Sequence, residues 1–120
     1  RIRDLNNAYF GNCIIHGNAF NEVALGIAPN GTFNYLFRTS LLKIDEDPDA
    51  GHYDISDANF FDNCIFNQDP LFLDAQMNDY QLDTLSPALD AGNLNDALLV
   101  PLDIKGISRS TDPDMGAHEK

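Results

Sequence analysis

Two stretches half a chain apart repeat one pattern of apolar and polar positions. Tyr9-Phe10-Gly11-Asn12-Cys13-Ile14-Ile15 and Phe60-Phe61-Asp62-Asn63-Cys64-Ile65-Phe66 each run as an aromatic pair, a turn residue, Asn, Cys and two large apolar residues. Between them, Leu36-Phe37-Arg38-Thr39-Ser40-Leu41-Leu42 keeps the same frame, with Thr39 in the Asn position and Ser40 in the Cys position. Ser40 follows Cys13 by 27 residues, and Cys64 follows Ser40 by 24. Recurrence at such a period marks units that cannot bury an apolar face alone and do so by stacking. The predicted fold is therefore all-β: a parallel β-helix of about three coils, with three unrelated strands of a sandwich as its rival.

In that arrangement Phe10, Phe37 and Phe61 stack on one another, as do Ile15, Leu42 and Phe66. Side chains alternate along a strand, so Cys13 and Ile15 share one face while Asn12 and Ile14 take the other. The Cys13–Ser40–Cys64 column is small or apolar at every level and is assigned inward. The Asn12/Thr39/Asn63 column falls at a bend, where side chains can hydrogen-bond along the stack. Two coils separate the cysteines, which places their Cα atoms ~9–10 Å apart. A disulfide needs less than about 7 Å, so two buried free thiols are expected.

From Asp69 the pattern changes. Leu71-Phe72-Leu73 is a short apolar run after Pro70, Asn78-Asp79 a turn, and Tyr80-Gln81-Leu82 an alternating strand. In Ser86-Pro87-Ala88-Leu89-Asp90-Ala91-Gly92, a capping serine, a proline at the first helical position and a closing glycine predict one helical turn. Asn93 to Leu99 reads as a loose turn or short helix, and Leu102 to Glu119 as two short strands around Gly106 and Pro113. The chain thus divides into coils over residues 1–68 and a capping segment over 69–120 of the same domain. Leu71, Phe72, Leu82, Leu89, Leu102 and Met115 are expected to cover the last coil, whose open end would otherwise invite edge association.

The run from Asp69 to Glu119 resembles the C-terminal segment of secreted bacterial right-handed parallel β-helix proteins, the pectin-lyase-like group. Asp-Pro-Leu-Phe, Tyr-Gln-Leu and Ser-Pro-Ala-Leu-Asp-Ala-Gly match in order. Asp103, Gly106 and Arg109 follow, and then Asp114, Gly116, Ala117 and Glu119. His118 stands where the group carries an aromatic residue. The resemblance implies an exported or surface-attached parent protein with further coils upstream, in contact with polysaccharide or host glycan. Arg1-Ile2-Arg3 opens directly on patterned sequence, which reads as a piece of a longer precursor whose export signal has been removed.

Charge narrows the partners. Seven basic residues against nineteen acidic ones give a net charge of -12. Phosphate recognition needs a basic footprint, so nucleic acid is not an expected partner. No apolar run reaches the ~18 residues of a membrane span.

Candidate chemistry is sparse. Asp45, Asp47 and Asp49 alternate in an acidic loop, a spacing that can offer oxygen ligands to calcium, although Pro48 and the position of Gly51 depart from the EF-hand pattern. The bland reading is a solvated acidic loop with no cofactor at all. Arg38 beside that loop, with Tyr53, is the candidate ligand-binding pair. Tyr9, Tyr35 and Tyr80 can stack on sugar rings only if exposed. His16, His52 and His118 lack ligand spacing, and the paired-carboxylate, Gly-His-Gly and Arg-Ile-Lys elements of glycoside hydrolases of this architecture are incomplete. The favoured reading is a non-catalytic surface-protein segment that contacts glycan. Its rivals are a fragment of a polysaccharide lyase or glycoside hydrolase whose groove lies upstream, and a structural stalk or adhesin cap.

Overall fold

The structure is a computed structural model, and it describes residues 5–17, 22–23, 33–44 and 55–120. Strands dominate: β1 Leu5–Gly11, β2 Ile14–Ile15, β3 Phe33–Arg38, β4 Leu41–Leu42, β5 Phe61–Asp62, β6 Ile65–Phe66, β7 Phe72–Asp74 and β8 Asp79–Leu82. A 3₁₀ turn at Ala75–Met77 and a single short helix, α1 Leu94–Ala97, complete the regular structure among the described residues. The fold is all-β.

The repeated pattern becomes two small parallel sheets, ordered β1-β3-β5 and β2-β4-β6. In the first, Phe10 pairs Phe37 and Phe37 pairs Phe61. In the second, Ile15 pairs Leu42 and Leu42 pairs Phe66. Both apolar columns expected from the repeat are therefore in register. The phenylalanine rings lie nearly parallel, with centroids 4.7 Å apart for Phe10–Phe37 and 5.6 Å for Phe37–Phe61. Each sheet changes to the other at a two-residue corner: Asn12-Cys13, Thr39-Ser40 and Asn63-Cys64. The first corner residue is left-handed every time, with φ of 53°, 51° and 52°. Asparagine tolerates that region, whereas β-branched Thr39 occupies it under strain.

Backbone bonds carry the corner column along the stack: Asn12 N donates to Arg38 O and Thr39 N to Asp62 O. The Asn12 side chain departs from expectation. It turns to the terminal segment, where Nδ2 donates to Asn93 O at 2.9 Å and Oδ1 accepts from Asn93 N at 2.6 Å.

Cys13, Ser40 and Cys64 form the expected file, one per level, with Leu41 N donating to Cys13 O and Ile65 N to Ser40 O. Both thiols are free, as expected, but half-buried rather than buried. Burial pushes both above the ordinary thiol value, and the charges of Asp96 at Cys13 and Asp62 at Cys64 add to it. Alkylation without reductant should give two adducts in denaturant. In the folded protein it should be slower at neutral pH than in denaturant, because the raised pKa leaves less thiolate; intact-mass spectrometry reads both.

Adjacent residues of the two-residue strands face opposite ways, and this creates two cores. Val23, Phe37, Leu42, Ile44 and Phe61 form one, joined by Ile15, Cys64 and Phe66. Leu41, Leu82, Ala88 and Met115 form the other, joined by Ile14, Ile65, Phe72 and Ala91. The sheet β2-β4-β6 is the wall between them.

The terminal segment accordingly lies elsewhere than expected. Its buried residues Leu82, Ala88 and Met115 pack along Ile14, Leu41 and Ile65, covering the flank of all three levels rather than the last one. Leu71 and Leu102, expected in that cover, are exposed. Within the segment β7 and β8 pair antiparallel. Ser86 caps a turn, accepting from Ala88 N at 3.1 Å, but no helix follows. Gly92 serves a close approach instead of ending a helix: Gly92 N donates to Pro113 O, and a Cβ there would lie 2.7 Å from that oxygen. The two strands expected around Gly106 reduce to a single bridge, Leu102 to Ser108.

Four buried charged residues latch this segment. Asp103 Oδ1 accepts from Lys105 N and Ile107 N, and Oδ2 from Glu119 N, each at 2.8 Å. Asp114 accepts from Asp90 N and Lys120 N, while its own N–H donates to the Glu119 carboxylate. Arg109 Nη1 lies 3.3 Å from Glu119 Oε1 and donates to Gly116 O at 3.1 Å. Burial raises the Glu119 pKa, and the nearby Asp114 charge adds to the rise. At Asp103 burial acts upward too, but the three backbone donors and Arg109 together hold the pKa below its ordinary value.

Candidate functional site

With Phe10, Phe37 and Phe61 facing the core, alternation places Tyr9, Gly11, Arg38 and Asp62 on the other face of sheet β1-β3-β5. Gly11, Arg38 and Asp62 pair across the three strands in one row. Arg38 Nε sits 3.3 Å from Asp62 Oδ2, with both side chains more than a third exposed. Tyr9 is 43% exposed. Its hydroxyl donates to both carboxylate oxygens of Asp96, at 2.7 and 2.8 Å.

Asp96 arrives from α1, whose Asn93 cap accepts from Asp96 N at 3.2 Å. Gly11 is what admits it, since a Cβ at position 11 would lie 2.7 Å from Asp96 Oδ2. Three strand residues, one helix residue and one missing side chain thus make a polar row of Tyr9, Asp96, Arg38 and Asp62. Burial raises the Tyr9 phenol above its usual value, and Asp96 adds to the rise while Arg38 opposes it. The Arg38 guanidinium is in turn held more firmly protonated, first by Tyr9 and then by the two carboxylates.

Behind Asp96 opens a cleft of about 390 Å3, between the Asn12-Cys13 corner and residues 97–117. Ile14, Ala97, Val100 and Ala117 supply its apolar lining, and Asp96 and Arg109 its charge. Arg109 is only 7% exposed, and its Nε finds no hydrogen-bond partner among the described residues. Leaving a buried donor unpaired costs about 1–3 kcal/mol, more for a charged group. A second cleft of about 550 Å3 separates His16 from the β7–β8 hairpin, where Phe72 and Tyr80 meet edge to face at 5.2 Å.

Of the residues singled out in the sequence, Arg38 lies in the polar row. Tyr53, Asp45, Asp47 and Asp49 fall outside the described residues. Among the described residues no cluster of His, Cys, Asp and Glu is arranged to hold a metal ion. None of their helices is long and apolar enough to cross a membrane. Tyr9 and Tyr80 meet the exposure that sugar stacking requires. Asp96 and Arg109 were not legible as site residues: the first sits in an unpatterned stretch, and the second belongs to a motif whose buried ion pair gave no sign of a cleft beside it.

Comparison with family models, with curated proteins and with solved structures returned no match.

Proposed function

We propose that this chain is the C-terminal part of a right-handed parallel β-helix in an exported or surface-attached protein, and that its polar row contacts polysaccharide or host glycan without cleaving it. The observation that carries the reading is the row itself: an exposed tyrosine beside a guanidinium and two carboxylates, fixed on a parallel sheet. Sugars present paired hydroxyls and an apolar ring face. Planar charged groups bond the first, and an aromatic ring covers the second. The stacked Phe and Ile/Leu/Phe columns support the solenoid architecture, as does the Asp69–Glu119 resemblance. Among the described residues β1 is the edge strand of its sheet, and its own Phe10 is 39% exposed, so a further coil is the partner proposed for that edge.

Catalysis is disfavoured by the state of the same groups. A general base must be able to lose its proton near the working pH, and the surroundings of Arg38 bind its proton more tightly. Asp62 and Asp96 are each already engaged, by Arg38 and Tyr9. The test is calorimetric titration of the chain with a panel of soluble polysaccharides. Arg38→Ala should weaken the bound one about 10- to 100-fold, the worth of a hydrogen bond to a charged group. No binding across the panel, or release of shortened oligosaccharides by the chain, overturns the reading.

A further inference from the structure

We infer that the open side of the Asn12-Cys13-Ile14 corner is a strand-acceptor site, and that the stretch from α1 to Val100 is a shelf holding the second, short strand of one further level of the repeat. This rests on the solenoid architecture proposed above and names the part of the terminal segment that grips the added level. The backbone bonds point there. Ile65 N donates to Ser40 O, and Leu41 N donates to Cys13 O. At each level the residue after the corner reaches back to the corner carbonyl of the level before. Ile14 holds that position in the first level, and its parallel pairing with Leu41 turns its N–H and C=O away from β4. The acceptor that continues the series is the corner carbonyl of one more level. The two ends of the stack also differ. Phe61 closes the phenylalanine column at 4% exposure, whereas Phe10 opens it at 39%. The β1–β2 end is the uncovered one, and its sequence keeps the form of a middle level instead of a cap.

The cleft beside the corner follows the same edge. Gly11, Asn12, Cys13 and Ile14 line it in sequence, all from the first level. The Cys13 and Ile14 side chains face opposite ways, so a cleft that touches both runs along the strand edge between them. Ala97 and Val100 from the terminal segment line the same cleft. An extended backbone satisfies the Ile14 edge, and main-chain bonds of this kind are how a strand adds to an open sheet. A small residue suits the Cys13 column, and an aliphatic one suits the Ile14 column beside Ala97 and Val100. That is the Cys/Ser-Ile/Leu pattern of the repeat itself. The shelf also continues an interface already built, since the terminal segment covers Ile14, Leu41 and Ile65 in the same column. The level belongs to the same chain. A second copy would bring together two net charges of -12, which repel.

The experiment adds the level. A copy of residues 6–32, one repeat length, is inserted between Leu5 and Asn6 of the full chain, and amide hydrogen exchange is followed by nuclear magnetic resonance. In the original first level, exchange at Ile14 should slow by about tenfold or more, because an amide held in a ladder exchanges only when the ladder opens. The Val100 methyl signals should shift with it. Val100→Asp in the lengthened chain should cancel the Ile14 protection. In the 120-residue chain the same change falls at a 61% exposed position and should leave the melting temperature unchanged. An Ile14 amide as fast as before, Val100 signals that stay in place, or protection that survives Val100→Asp overturns the inference. Phe10 O and Asn12 N turn toward the second level, so Tyr9 and Gly11 hold the open edge of β1. Protection of those two amides beside an unprotected Ile14 leaves the solenoid standing and removes only the shelf, whereas no protection at any of the three removes both. If the lengthened chain does not fold, a synthetic peptide copying Tyr9 to His16 is titrated into the 120-residue chain. Saturable shifts at Ile14 N–H and the Val100 methyls support the inference, and silence at both overturns it. Concentration-dependent protection of Ile14 in the 120-residue chain alone makes the occupant a second copy and also overturns it.

Discussion

Arg109→Met should lower the unfolding free energy by about 3–5 kcal/mol, the cost of stripping one partner from a buried ion pair. Among the described residues the guanidinium is the one cation paired with Glu119, whose carboxylate is also bound by Asp114 N. Without it, Glu119 lies beside Asp114 and Asp103 with only backbone N–H donors to offset three buried carboxylates. Methionine keeps most of the side-chain volume, so the loss measured by urea denaturation reports charge more than packing. Adding Glu119→Gln should restore part of the loss, because the orphaned charge goes with it. The two changes should therefore be strongly non-additive. Equal costs for the single and double variants would show that Arg109 acts through packing alone.

Leu41→Ala should cost about 2–5 kcal/mol, the range for truncating a buried leucine with incomplete collapse around the gap. Leu41 is fully buried and touches the far side of the wall from its neighbour Leu42. Its cavity would open against Met115, Leu82 and Ala88, so the damage should appear first in the terminal segment. Amide hydrogen exchange of Ala88, Met115 and Gly116 should accelerate more than that of Phe37 and Phe61. Uniform acceleration would mean that the two cores melt as one.

How much of this was legible depended on which forces the pattern records. The aromatic–Asn–Cys–apolar repeat records a spacing, and the spacing predicted the register of six strands and the file of Cys13, Ser40 and Cys64. The same alternation also stated that Ile14, Leu41 and Ile65 face away from that file. What it left open was what covers them, because a column of apolar residues names no partner. The cover comes from Met115, Leu82 and Ala88, scattered through a stretch whose own signals were turns. Gly92 read as a helix end because glycine serves both positive φ and close backbone approach, and only the neighbouring Pro113 carbonyl tells which. Within the site, Arg38 stood out as one of few cations. Asp96 did not, since its meaning depends on the absence of a side chain at Gly11, 85 positions earlier.

The dividing wall has one last consequence. A boundary drawn at residue 68 looks natural in the sequence, yet it is not a seam in the molecule. Among the described residues the first half carries an oily ribbon of isoleucines and leucine that the second half clothes with Leu82, Ala88 and Met115. Each is the other's missing half of a sandwich filling. A cut at that point would leave apolar surface bare on both pieces, so neither is expected to fold alone.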